Sequence, residues 1–168
     1  MSDLVKITPP KPGEDIPCGL YKTTKKIGEN IPENALVYYH NHGDPGPGCY
    51  PPEKWNNNKA VFSKKGYVLP DIKDAKSLIP LPSEGFYRVA KNFYCCDNKC
   101  RLFERDTLIQ LGYNGMGEPI AFIPVWTEKG IELPKQGSLI DDERLNYIKP
   151  LKLQFNFKDT EHPENGEK

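Results

Sequence analysis

The sequence predicts a mainly β protein with short helices, arranged as two tandem small β-barrel units packed into one compact body. Three observations lead there. Proline, 17 of 168 residues, is spread along the whole chain at about twice its average usage of roughly 5%. Each proline removes an amide donor and clashes with the preceding helical turn, so long helices are excluded. The apolar residues fall in short runs bounded by glycine, proline and asparagine, as strands do. Finally, VFSKKGYVLP from Val61 and VWTEKGIELP from Val125 carry valine, lysine, glycine, leucine and proline at one spacing, the mark of a repeated unit.

The elements follow in order. Residues 1–16 are a Pro-rich, polar tail. The first unit spans 17–81. It opens with the strand GLYK from Gly19 and a second strand, LVYYHNHG from Leu36, that ends at a glycine. A Gly/Pro loop follows, then a hairpin over Val61–Pro70 with its turn at Lys65-Gly66, a short helix capped by Asp71, and the segment IPL to Leu81. The second unit, 82–157, repeats the plan. GFYR from Gly85 matches GLYK, and LIQLGYNG from Leu108 matches LVYYHNHG. A hairpin turns at Lys129-Gly130, a helix starts at Asp141 or Asp142, and KPL at Lys149–Leu151 matches IPL. LKLQFNF, Leu151 to Phe157, alternates apolar and polar with period two and predicts a last strand. Residues 158–168 are a charged tail without a large apolar side chain.

Four or five short strands and one short helix in each unit make a plan that resembles the SH3-like small barrels. The resemblance is architectural, carries no SH3 sequence signature, and assigns no function.

The two units differ at three places, one of them a longer helical segment before the closing proline of the second unit, GSLIDDERLNYIKP. Gly43 to Val61 takes eighteen positions against ten for Gly115 to Val125, with the excess in DPGPGCYPPEKWNNNK. Gly85 to Leu108 takes twenty-three against seventeen for Gly19 to Leu36, and that excess accompanies FYCCDNKCRLFERD. Residues present in one copy only are the better candidates for function, since the other copy folds without them.

Composition narrows the function classes. Lys plus Arg and Asp plus Glu are both 23, so no overall field draws the chain to nucleic acid or an anionic membrane. The sequence has no membrane-length apolar run and no signal-like N-terminus, which leads to the expectation of a cytoplasmic protein with reduced cysteines. A nucleic-acid surface would draw on Tyr21, Lys22, Lys25, Lys26, Tyr38, Tyr39, Arg88 and Arg101, but those aromatics sit where the strands need a core.

Three groups of residues carry chemistry. His40 and His42 stand at i and i+2 of a strand, on one face, with Asp44 or Cys49 as a third ligand. That set is suited to zinc and to metal-assisted hydrolysis. Cys95, Cys96 and Cys100 cluster in YCCDNKC, without the CxxC spacing of a zinc ribbon. The loop from Asp44 through Pro47, Tyr50 and Trp55 is stiffened by proline and carries two aromatic anchors, a pattern suited to protein recognition. The reading that follows is a non-enzymatic interaction or regulatory module without a cofactor, whose partner is another protein. The alternative is a small zinc-dependent hydrolase centred on His40 and His42.

Overall fold

GLYK, LVYYH and GCY become neighbouring strands because alternate residues are apolar and bury on one side of a sheet. The computed structural model describes residues 16–41, 47–69 and 72–154, and within them the protein is mainly β. The first half holds β1 (Gly19–Lys22), β2 (Leu36–His40), β3 (Gly48–Tyr50), β4 (Pro52–Asn56), β5 (Lys59–Phe62), β6 (Tyr67–Val68), a 3₁₀ helix (Ile72–Ser77) and β7 (Ile79–Pro80). The second holds β8 (Gly85–Val89), β9 (Phe93–Tyr94), β10 (Leu102–Phe103), β11 (Leu108–Tyr113), β12 (Pro119–Phe122), β13 (Val125–Thr127), β14 (Gly130–Glu132), β15 (Ser138–Leu139), a 3₁₀ helix (Asp142–Tyr147) and β16 (Ile148–Pro150).

Each half builds one five-stranded antiparallel sheet, in the orders β6-β3-β2-β1-β7 and β15-β12-β11-β8-β16. Their registers correspond rung by rung. Gly19, Tyr39, Cys49 and Tyr67 line up across the first sheet as Gly85, Leu111, Ala121 and Ser138 do across the second. Tyr21 faces Pro80 as Tyr87 faces Pro150. Bonds outside the ladders correspond too. The Tyr21 hydroxyl donates to the Pro17 carbonyl at 2.7 Å, and the Tyr87 hydroxyl to the Ser83 carbonyl at 2.6 Å. The Leu81 amide donates to Leu20 and the Leu151 amide to Phe86. Asn34 and Asp106, both at positive φ, turn the chain back before the second strand of each sheet. Each inner face has its own core, one around Tyr21, Val37, Tyr39 and Leu78, the other around Tyr87, Ile109, Leu111 and Ile148.

Burial pushes the Tyr21 phenol up to about 12, with Tyr39 and Cys18 adding to it, and burial alone does the same to Tyr87. The unfolded chain releases these protons near pH 10 while the folded chain holds them to about 12, so the unfolded state binds fewer protons in that window. The contribution of these two tyrosines to stability is therefore expected to be flat below about pH 10 and to fall as pH rises through 10 to 12. Urea midpoints measured across that range check it, and a midpoint that rises there contradicts it.

The structure corrects several expectations. Among the described residues no closed barrel forms; each sheet ends in two- or three-residue edge strands that pair on one side only. The hairpin expected at Lys129-Gly130 is present as β13–β14, with its turn one residue earlier at Glu128 and Lys129, but none forms at Lys65-Gly66. There Lys59–Phe62 pairs with β4, and Tyr67–Val68 crosses to the edge of β3. Gly66 sits so close to the Cys49 carbonyl and the Tyr50 ring that a Cβ would lie 2.5 Å from both. The hairpin of the first half is instead β4–β5, turned by Asn57 and Asn58, both in the left-handed conformation that such two-residue turns require. Both helices are 3₁₀. Asp141 stands at the cap position of the second with no side-chain capping bond, and the expected cap Asp71 lies outside the described residues. Leu151–Gln154 is not a strand, and the remainder of LKLQFNF lies outside the described residues.

The registers also relocate the length differences. His40 to Gly48 is as long as Gly112 to Ile120, so the loop after the second strand has no excess. Tyr50 to Tyr67 exceeds Phe122 to Ser138 by one residue, accounted for by a bulge between Pro52 and Lys54. Ile27 bridges Ile31 in the first half where Phe93 pairs with Phe103 in the second, and all six extra residues fall between those two phenylalanines.

Among the described residues no helix is long and apolar enough to cross a membrane.

Candidate functional site

Hairpin β4–β5 leaves its own sheet and lies on the outer face of β11. The Trp55 indole nitrogen donates to the Tyr113 carbonyl at 2.9 Å. The Asn58 amide donates to Gln110 Oε1 at 3.0 Å and to the Pro134 carbonyl at 2.9 Å, while Gln110 returns a bond to the Asn57 carbonyl at 2.7 Å. Gly112 makes room for the approach, since a Cβ there would meet the Asn58 carbonyl at 2.7 Å. With both faces covered, β11 is buried from Ile109 to Tyr113, and a glutamine tolerates that position because the hairpin satisfies its amide.

The corresponding face of the first sheet is built differently. By register, Tyr38, His40 and Tyr50 stand where the second sheet has Gln110, Gly112 and Phe122. They line an open cleft of about 270 Å³ together with Phe62, Ser63 and Lys64. The Tyr38 and Phe62 rings lie 5.7 Å apart and tilted. The cleft is mostly aromatic, with one ammonium and one imidazole at its polar side.

Of the residues expected to form a zinc site, Cys49 is not brought to His40. Cys49 pairs with Tyr39, so its thiol points into the core while His40, the next residue along, faces the outer cleft. Burial pushes the Cys49 thiol up to about 12, which disfavours the thiolate a metal needs. His42 and Asp44 lie outside the described residues. Of the residues expected to contact a partner, Tyr50 lines the cleft and Pro47 accepts the Leu69 amide. Trp55 gives its indole N–H to the Tyr113 carbonyl while part of its ring stays exposed.

The sequence reading missed Trp126. It occupies in β13–β14 the place Trp55 holds in β4–β5, two residues before a two-residue turn, and faces Ile131 as Trp55 faces Ala60. It is 81% exposed, against 42% for Trp55, with Val125 and Ile131 exposed beside it. Aligning the two tryptophans would have revealed the correspondence; aligning Val61 with Val125 put Phe62 opposite Trp126 and concealed it.

The third group of residues is brought together. Cys95, Cys96 and Cys100 place their sulfurs mutually within 4.8 Å in the turn between β9 and β10.

The chain matches no protein-family model, no curated protein and no solved structure.

Proposed function

We propose that the protein is a non-enzymatic protein-interaction module built from two copies of one SH3-like unit, over 17–81 and 82–157, and that the Tyr38–Tyr50 cleft receives the partner. The matching strand order and register of the two sheets support the duplication. One observation carries the functional part. The outer face of the second sheet is occupied by a tryptophan-bearing hairpin, while the corresponding face of the first keeps an open aromatic cleft. A scaffold that binds a hairpin on one copy of a surface has the shape to bind an aromatic or apolar side chain on the other. The partner is a protein segment that presents such an anchor, docked beside Tyr50 and Phe62, where aromatic contacts concentrate binding energy.

Affinity capture with the immobilised full chain, followed by calorimetry on the captured partner, tests this. Tyr50→Ala is expected to weaken binding by about tenfold or more, while thermal unfolding moves little because Tyr50 is only half-buried. An unchanged affinity in Tyr50→Ala removes the cleft from the interface.

A further inference from the structure

We propose that Cys95, Cys96 and Cys100 form a binding site for a thiophilic closed-shell cation, zinc foremost, with a fourth coordination position open to solvent or to a side chain from a partner. The site lies in a different element from the aromatic cleft and does not depend on it.

The place of these cysteines in the chain is the first argument. Ile27 and Ile31 close the corresponding turn of the first sheet with three residues, Gly28 to Asn30. The second sheet spends nine residues, Tyr94 to Leu102, between Phe93 and Phe103. The flanking residues of both copies are buried in their respective cores. The architecture therefore closes this turn without cysteine, and the added residues carry all three thiols.

Geometry is the second. Cys95 and Cys96 Sγ are 3.5 Å apart, and Cys96 and Cys100 Sγ are 3.7 Å apart. Zinc bound tetrahedrally at about 2.3 Å from each sulfur sets neighbouring sulfurs about 3.8 Å apart. Two of the three sulfur pairs thus stand close to the edges of that tetrahedron before any ion arrives, and the third pair lies within 4.8 Å. Magnesium and calcium, which prefer oxygen, are excluded by the ligand type.

The surroundings of the sulfurs are the third. Backbone amides converge on them as they do on metal-bound thiolates, fixing the ligands and stabilising negative charge. The Arg101 amide donates to Cys95 Sγ at 3.2 Å. The Cys100 and Asn98 amides both reach the Cys96 sulfur. Lys99 adopts a left-handed conformation, φ 55°, and its amide bonds the Cys96 carbonyl, which turns these donors inward. The loop is anchored from outside by the bond from the Asp141 amide to the Cys95 carbonyl and by the 3.0 Å ion pair of Arg144 with Asp97. Cys95 is buried and Cys100 exposed, so the open coordination position faces outward.

Untagged protein, fully reduced under anaerobic conditions with its five thiols verified by titration, is mixed with zinc against a chromogenic chelator and, separately, with cobalt(II). One equivalent of zinc is expected to bind, and cobalt to give the sulfur charge-transfer and intense visible bands of a tetrahedral thiolate site. Cys96→Ser with Cys100→Ser removes two exposed or half-buried ligands and leaves buried Cys95 in the core. It is expected to weaken zinc binding by about 100-fold or more and abolish the cobalt bands, while His40→Ala leaves both unchanged. The proposal is overturned if the reduced wild-type chain takes up no stoichiometric zinc, or if the double variant, shown folded by circular dichroism, binds as wild type does.

Discussion

Tyr113→Ala is expected to lower the stability of the protein by about 3–5 kcal/mol, a large share of the roughly 5–15 kcal/mol that holds a domain folded. Tyr113 is fully buried in the core of the second sheet, and its hydroxyl donates to the Pro82 carbonyl at 2.7 Å. Its own carbonyl receives the Trp55 indole, so the residue ties that core to the hairpin of the first half. Truncation leaves a ring-sized cavity and strands a buried carbonyl. Tyr113→Phe keeps the ring and loses only the hydroxyl, so its cost falls to about 1–2 kcal/mol. Urea denaturation of the two variants separates the contributions. Equal losses would mean that the ring is not packed as described. The hydroxyl stays protonated far above the usual tyrosine range, for which burial is the largest cause and Tyr87 the next.

Gly112→Val is expected to cost about 3 kcal/mol, by a different route. The valine Cβ would stand 2.7 Å from the Asn58 carbonyl and 3.2 Å from the Phe122 ring. Backbone cannot yield as a flexible side chain can, so β4–β5 must lift from β11. Overpacking of this kind costs roughly 1–3 kcal/mol, and the bonds among Trp55, Asn57, Asn58, Gln110 and Tyr113 are lost or stretched, each worth about 1 kcal/mol. Gly115→Ala, whose nearest neighbour to the new Cβ is 3.9 Å away, is the control and should change stability by less than about 0.5 kcal/mol. The fluorescence of Trp55, read in a Trp126→Phe background, reports the hairpin directly. A valine variant that keeps both wild-type stability and a wild-type Trp55 spectrum would show that the hairpin does not sit on Gly112.

The same hairpin makes shortening of the Asp44–Asn58 segment a misleading test of partner binding. Removing residues between Asp44 and Asn58 appears, from the pattern alone, to trim a surface loop. In the structure it deletes β4 and its tryptophan, and with them a contact between the two sheets. Loss of binding after such a deletion would report unfolding as readily as a missing contact.

Much of the architecture is legible in the sequence. Strand-forming alternation in GLYK, LVYYH, GFYR and LIQLGY is a local property, set by residues two apart, and those strands lie where the sequence puts them. The correspondence of Gly19 with Gly85 and of Leu36 with Leu108 holds in the registers as well. The clustering of three cysteines in the longer segment of the second half could also be read directly, because a length difference between well-anchored strands is a counting fact.

Tertiary structure alone decided the rest. VFSKKGYVLP and VWTEKGIELP look alike, yet only the second closes as a hairpin. Strand pairing depends on which edge is already occupied, and in the first half β4 and β3 claim the two parts of that segment. Whether the faces of His40 and Cys49 meet depends on pleat direction within a three-residue strand, and they do not. Trp55 and Trp126 have the same place in the same kind of hairpin, and the sequence cannot tell the docked one from the exposed one. The difference lies far from Trp55 in sequence, in a glycine at 112 that admits a hairpin backbone where the first sheet has a histidine. Local propensity fixes where strands form; packing between distant surfaces fixes which residues remain available to a partner.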